Sequence, residues 1–139
     1  MKQTILVDLE RCTGCWTCST ACKDVHKVPN DEYWQYVRTI GGGGIDQPKG
    51  TYPDIYMSWM PIWSLDCQLC PDRLKEGKLP YCVNSCNTKA LTFGDSNDPN
   101  SEVSKRINVL KERGYHFFSI PSWEKTRTQV LYANRIDVL

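Results

Sequence analysis

The chain has 139 residues, of which 40% are apolar and 24% charged, with a net charge of +1 and a pI near 7.5. That length suits one domain with a real core, and the balance is that of a soluble globular chain. So neutral a surface offers no electrostatic case for nucleic acid or for a polybasic membrane contact, and it suits a chain held in one lasting complex better than a shuttle that must be steered to many partners.

Thr4 to Leu9 is a short β-rich run, with Ile5 and Val7 facing one way and Leu6 the other. It leaves no room for a secretory leader before the first cysteine. No apolar run reaches the length of a membrane span, since the longest candidate, Ile55 to Trp63, is broken by Ser58 and Pro61. The expectation is a cytoplasmic protein with no membrane anchor of its own, exported only if a partner carries it.

Cys12 to Cys22 reads C-T-G-C-W-T-C-S-T-A-C, four thiols separated by two, two and three residues. Cys12, Cys15 and Cys18 can wrap one face of a 4Fe-4S cube, with Gly14 letting the chain pass close to the inorganic sulfides. The longer last spacing is the one at which the fourth cysteine turns to the other cluster of a pair. A second set is present as C-x2-C-x11-C-x3-C, at Cys67, Cys70, Cys82 and Cys86. Crossing the fourth cysteines gives one 4Fe-4S cluster on Cys12, Cys15, Cys18 and Cys86 and a second on Cys67, Cys70, Cys82 and Cys22, which uses all eight cysteines.

Two other readings compete. Cys67, Cys70, Cys82 and Cys86 alone could pass for a zinc site, although the first run crowds its ligands too closely for one tetrahedral ion. Disulfides need an oxidising compartment, and neighbouring C-x2-C pairs make poor staples. The covalent haem signal C-x-x-C-H is absent, because Trp16 and Pro71 stand where the histidine would be.

After Cys18 the sequence predicts a helix capped by Ser19 and running to about Lys27, where Val28-Pro29-Asn30 breaks it. His26 on this helix reads as a surface or capped histidine. Asn30 to Lys49 has little regular pattern; Tyr33, Trp34 and Tyr36 precede the run Gly41 to Gly44, a flexible loop with no phosphate-cradle signature. These aromatics read either as core filler under the loop or as a docking surface, with a slight preference for docking. Ile55 to Met60 alternates as a strand, Pro71 to Lys78 is a helical turn with a glycine stop, and Pro80 opens another turn carrying Cys82 and Cys86. Ala90 to Phe93 is a strand. Asp98-Pro99 opens a helix to about Arg113 with Val103, Ile107 and Leu110 on one face, ended by Gly114. Tyr115 to Ile120, with His116 half-buried, and Thr128 to Tyr132 read as extended.

The two cysteine sets form a loose repeat of strand, cluster loop and helix, whose halves should pair about a pseudo-twofold axis. The predicted fold class is therefore α+β, a ferredoxin-like domain over 1–139 binding two 4Fe-4S clusters, with an inserted loop at 31–54 and a C-terminal helix and partner-contact tail at 96–139. Neither half has much core without its cluster, so removing iron is expected to unfold the chain.

The run C-T-G-C-W-T-C-S-T-A-C-K, and above all C-Q-L-C-P-D-R-L-K-E-G-K-L-P-Y-C-V-N-S-C-N-T-K-A-L-T-F-G-D, resembles the ferredoxin-like iron-sulfur subunits of molybdopterin oxidoreductases. That family serves dimethyl sulfoxide reductase, polysulfide reductase, formate dehydrogenases and the pyrogallol-phloroglucinol transhydroxylase. Gly50 to Pro53 and Asn97 to Val103 resemble segments beside its cluster motifs. Larger members have twice the cysteines and an outer cluster pair that is missing here. Lys23 stands where simple bacterial ferredoxins have proline, and Asn87 and Lys89 replace the usual proline and glycine after the last cysteine.

The resemblance implies a non-catalytic electron-transfer subunit in complex with a large molybdenum- or tungsten-pterin catalytic subunit, as a heterodimer or higher assembly. The missing outer clusters imply no membrane anchor to feed, and the near-neutral charge gives no case for nucleic acid. A free soluble two-cluster ferredoxin is the alternative, and a zinc-stabilised interaction module a third reading. Arg11, Lys23, Arg73 and Lys89 flank ligands, where positive charge would raise cluster potential.

Overall fold

A computed structural model describes residues 3–40, 47–64, 66–120 and 128–135. The apolar run at the start of the chain becomes β1 (Gln3–Asp8), buried on both faces. It lies inside a four-stranded sheet between β6 (Leu91–Asp95), which is antiparallel to it, and β8 (Thr128–Asn134), which is parallel; β7 (His116–Phe118) completes the order β6-β1-β8-β7. Ile5 faces Phe93 on one side and Val130 on the other. A strand flanked on both edges and covered on both faces is why Ile5, Leu6 and Val7 form an unbroken apolar triplet.

The two faces of β1 serve different cores. Ile5 and Val7 point into a cluster with Leu91, Val130, Tyr132 and Trp63, which also holds Cys18 and Cys82. Leu6 points the other way, against Val103 and Leu110 of helix α4 (Glu102–Glu112) and Ala133 of β8. Ser101 caps that helix by accepting the Ser104 N–H at 3.2 Å, so the helix starts three residues later than Asp98-Pro99 suggests.

A two-stranded ribbon lies on the other side of the first core, formed by β2 (Gln35–Thr39) and β5 (Trp59–Trp63). β2 falls within the stretch that shows little regular pattern in the sequence. Its buried positions are Gln35 and Val37, and a buried amide at the first of them hides the alternation. The strand expected over Ile55 to Met60 is split. Its start pairs as β4 (Asp54–Tyr56) with β3 (Lys49–Thr51) in an exposed hairpin, and β5 begins afresh at Trp59. The glycine run 41–44 lies outside the described residues.

Tyr132 ties the sheet to the ribbon. Its ring is fully buried and stacked 5.3 Å from Phe118, and its hydroxyl donates to the Pro61 carbonyl at 2.6 Å. Burial pushes the phenol well above its ordinary range, with the nearby Tyr36 adding to the shift. A raised phenol contributes stability that is complete below the unfolded value of 10.0 and is lost as pH climbs through the folded one. Tyr132→Phe should lower stability by about 1–3 kcal/mol at neutral pH, by orphaning a buried carbonyl. Denaturant melts should show that gap narrowing above about pH 10; a gap independent of pH would mean the phenol is not held as described.

Two thiol-lined cavities as the candidate functional site

The loop after β1 is fixed by Asp8. Its carboxylate accepts the Glu10 N–H at 3.0 Å and the Arg106 guanidinium of α4 at 3.2 Å, and its carbonyl accepts the Cys12 N–H at 3.3 Å. The chain then turns through two left-handed residues, Gly14 at φ 69° and Trp16 at φ 64°. A Cβ on Gly14 would sit 2.6 Å from the Trp59 ring, so the close approach that glycine permits here is to an indole. Helix α1 (Thr17–His26) begins two residues before the predicted Ser19 cap. Ser19 lies inside the helix instead, buried, and donates to the Gln35 carbonyl at 2.6 Å, which locks α1 to β2.

Cys12, Cys15 and Cys18 line one cavity, and the fourth thiol on its wall is Cys86. Cys86 comes at the end of α3 (Tyr81–Ser85), where the backbone has already turned extended, so it does not share a helical face with Cys82. Ala90 N–H donates to Cys86 Sγ at 3.3 Å. The turn after it survives the missing glycine because Lys89 itself adopts φ 56°.

Cys22, Cys67, Cys70 and Cys82 line the second cavity, with His26, Trp34, Gln35, Trp63 and Tyr81 around them. Leu69 at φ 62° and Cys70 at φ 50° curl the chain sharply before Pro71 starts α2 (Pro71–Lys75). Of the five non-glycine residues with positive φ among the described residues, Trp16, Leu69 and Cys70 lie at or beside a cysteine of these walls. Strain of this kind persists where surrounding structure imposes it, and it gathers at functional sites. The empty spaces are nearly equal, about 340 and 350 Å³ including the part open to solvent.

Burial drives up the thiols of Cys12, Cys18, Cys22, Cys67 and Cys82. Cys12 and Cys22 are each raised to about 11, and Cys82 further still. The other thiols of each wall add to this, as Cys67 and Cys70 do for Cys22. Cys15 is exposed and goes the other way, lowered by hydrogen bonding to Thr17. Buried thiols crowded into one hollow resist ionising unless a cation compensates their charge, so binding a cluster there would release protons. Soft sulfur donors around a hollow of this kind fit an iron-sulfur cube. Among the described residues, no three of His, Cys, Asp or Glu are arranged to hold a single metal ion.

Two residues near the thiols, Gln35 and His26, have roles that the sequence does not signal. Gln35 is almost fully buried, and its Nε2 donates to Cys18 Sγ at 3.0 Å while its Oε1 has no partner among the described residues. Trp63 packs in the same core as Cys82 and lines the second hollow with it. His26, expected at the surface, stacks on Trp34 with ring centroids 5.0 Å apart and places Nε2 3.2 Å from Cys70 Sγ. Conversely, the flanking cations are largely engaged. Lys23 donates to the carbonyls of Pro29, Asn30 and Glu32 and lies over the Tyr33 ring, Arg11 pairs with Asp8, and Arg73 donates to Leu79 O and covers Tyr81. His116, expected half-buried, is exposed.

Residues 51–96 match the 4Fe-4S dicluster domain, a span that holds the second cysteine set. Over that span the chain is similar to this domain. It is similar to a protein named for the iron-sulfur subunit of a dimethyl sulfoxide reductase in Halobacterium salinarum, at 33% identity over 66% of this chain and 33% of that one. A sulfite dehydrogenase subunit of Allochromatium vinosum is 30% identical over 86% of this chain and 39% of its own length. A polysulfide reductase chain of Wolinella succinogenes is 32% identical over 73% and 39%. The chain thus spans about a third to two fifths of these relatives. Its eight cysteines are those of an iron-sulfur protein, and its strands and helices are mixed. Among the described residues, no helix is long and apolar enough to cross a membrane.

Proposed function

We propose that this chain relays electrons through two 4Fe-4S clusters to or from a large molybdenum- or tungsten-pterin catalytic subunit. Cys12, Cys15, Cys18 and Cys86 would hold one cluster, and Cys67, Cys70, Cys82 and Cys22 the other. The observation that carries this reading is the sorting of the eight cysteines into two walls of four, each completed by a thiol from the other sequence run. That sorting also supports a ferredoxin-like arrangement with a pseudo-twofold axis between the halves.

A 4Fe-4S group supplies one-electron redox chemistry without making or breaking a substrate bond. The chain's own residues supply the rest. The thiolates hold the clusters, buried side chains exclude water from Cys18 and Cys82, and Cys15 brings the edge of the first site to the surface beside the exposed rings of Trp16 and Tyr33. That edge is where a redox partner would approach most closely. The relatives' names as subunits of a dehydrogenase and two reductases support a catalytic partner. Segment 31–54, together with the neighbouring exposed Ile55, would contribute to the partner contact, Tyr52 being its most exposed aromatic. Eight unpaired thiols suit a reducing, cytoplasmic compartment, and we place the complex there without a membrane anchor.

Anaerobic purification of the native complex tests this. The expected result is a large pterin-containing subunit travelling with the chain and two reducible iron-sulfur signals. Zinc in place of iron would overturn the cluster reading. A lone chain reduced equally by many donors would favour a free ferredoxin.

A further inference from the structure

His26 and Gln35 flank the connection that leads from α1 into β2, and each directs a side-chain nitrogen at a different thiol wall. His26 Nε2 lies 3.2 Å from Cys70 Sγ in the second wall, and Gln35 Nε2 lies 3.0 Å from Cys18 Sγ in the first. We propose that these two are positioning residues that set the reduction potentials of the two clusters, His26 that of the cluster bound by Cys70 and Gln35 that of the cluster bound by Cys18. The inference rests on the ligation proposed above.

A cluster-bound thiolate has no proton and can only accept, so at this distance the hydrogen of the His26 contact sits on Nε2. The ring is held in place on two sides, stacked on Trp34 and edge-on to Tyr81 at 6.3 Å, so the donor does not have to be ordered when charge arrives. Gln35 is fixed through its backbone, which takes the Ser19 hydroxyl and pairs with Trp63 across the ribbon. Its buried amide leaves one oxygen unpartnered among the described residues, a poor choice for stability alone and an understandable one if the nitrogen is needed at sulfur. When one electron enters a cluster its sulfur ligands become more negative. The N–H···S bond then strengthens, with no proton transferred and no bond broken, so the donor favours the reduced form and raises the potential.

The test uses the full chain with clusters assembled anaerobically, titrated potentiometrically while the two reduced-cluster magnetic resonance signals are followed. Cys15→Ser and Cys67→Ser variants assign those signals. His26→Phe should make reduction of the Cys67 cluster about tenfold less favourable, 59 mV for a one-electron couple, and leave the other where it was; His26→Gln, which keeps an N–H, should recover most of the loss. Gln35→Met should do the reverse, moving the Cys18 cluster by more than the second cluster, whose hollow the side chain also lines. Unmoved potentials, or equal shifts of both clusters, would overturn the proposal. If Gln35→Met takes up no iron, the His26 pair decides alone. Failure of the underlying ligation looks different: Cys15→Ser and Cys67→Ser would then alter the same signal, or the wild-type protein would give only one.

Discussion

Replacing Cys22 by serine should abolish the cluster of Cys67, Cys70 and Cys82 and spare the one whose other ligands lie closest to Cys22 in sequence. Helix α1 accounts for this. Cys18 and Cys22 are one turn apart on it and both buried, yet Cys18 is on the wall with Cys12, Cys15 and Cys86, and Cys22 on the wall with Cys67, Cys70 and Cys82. The charge interactions are mostly sorted the same way, since after burial Cys22 is pushed up chiefly by Cys67 and Cys70, and Cys12 by Cys18 and Cys86. Cys86→Ser should give the mirror result. Each variant should lose about half of its iron and keep one of two reduced signals, which iron analysis with magnetic resonance can read. Loss of the Cys12, Cys15 and Cys18 signal in Cys22→Ser would sink the crossed ligation.

The cysteine sets were legible in the sequence because ligand spacing is local chemistry: a cube constrains residues two and three apart whatever the rest of the chain does. The alternation of β1 was legible as well, Ile5 and Val7 on one face and Leu6 on the other, but that each face meets its own core was not. What escaped depended on distant partners. β2 was missed because Gln35 occupies a core position, where its polarity makes sense only next to Cys18 Sγ. His26 looked like an ordinary helix-end residue because Cys70, which its ring meets, lies 44 positions away. The importance of β8 was hidden because a parallel pairing between the two ends of the chain leaves no turn or hairpin signal.

That last miss changes what iron removal should do. The sequence alone predicted wholesale unfolding, on the view that each half lacks a core without its cluster. Yet Leu6, Val103, Leu110 and Ala133 are essentially fully buried in a core of β1, α4 and β8 that holds no cysteine, and each large apolar side chain so buried is worth roughly 1.5–3 kcal/mol. The other side of the molecule is different in kind. There α2 and α3 have only five residues each, Leu69 and Val83 pack next to the thiols, and the curled backbone at Leu69 and Cys70 is held at positive φ. Without clusters those thiols face two hollows and forfeit their contacts, and helices of that length do not persist by themselves. Anaerobic chelation should therefore melt the ligand loops, α2 and α3 and leave the four-stranded sheet with α4 standing. Hydrogen exchange followed residue by residue would show protection lost over 67–86 and kept in β1, β8 and α4. A chain that loses all protection at once would restore the sequence-based view, and one that keeps it over 67–86 would mean the clusters contribute little to the fold.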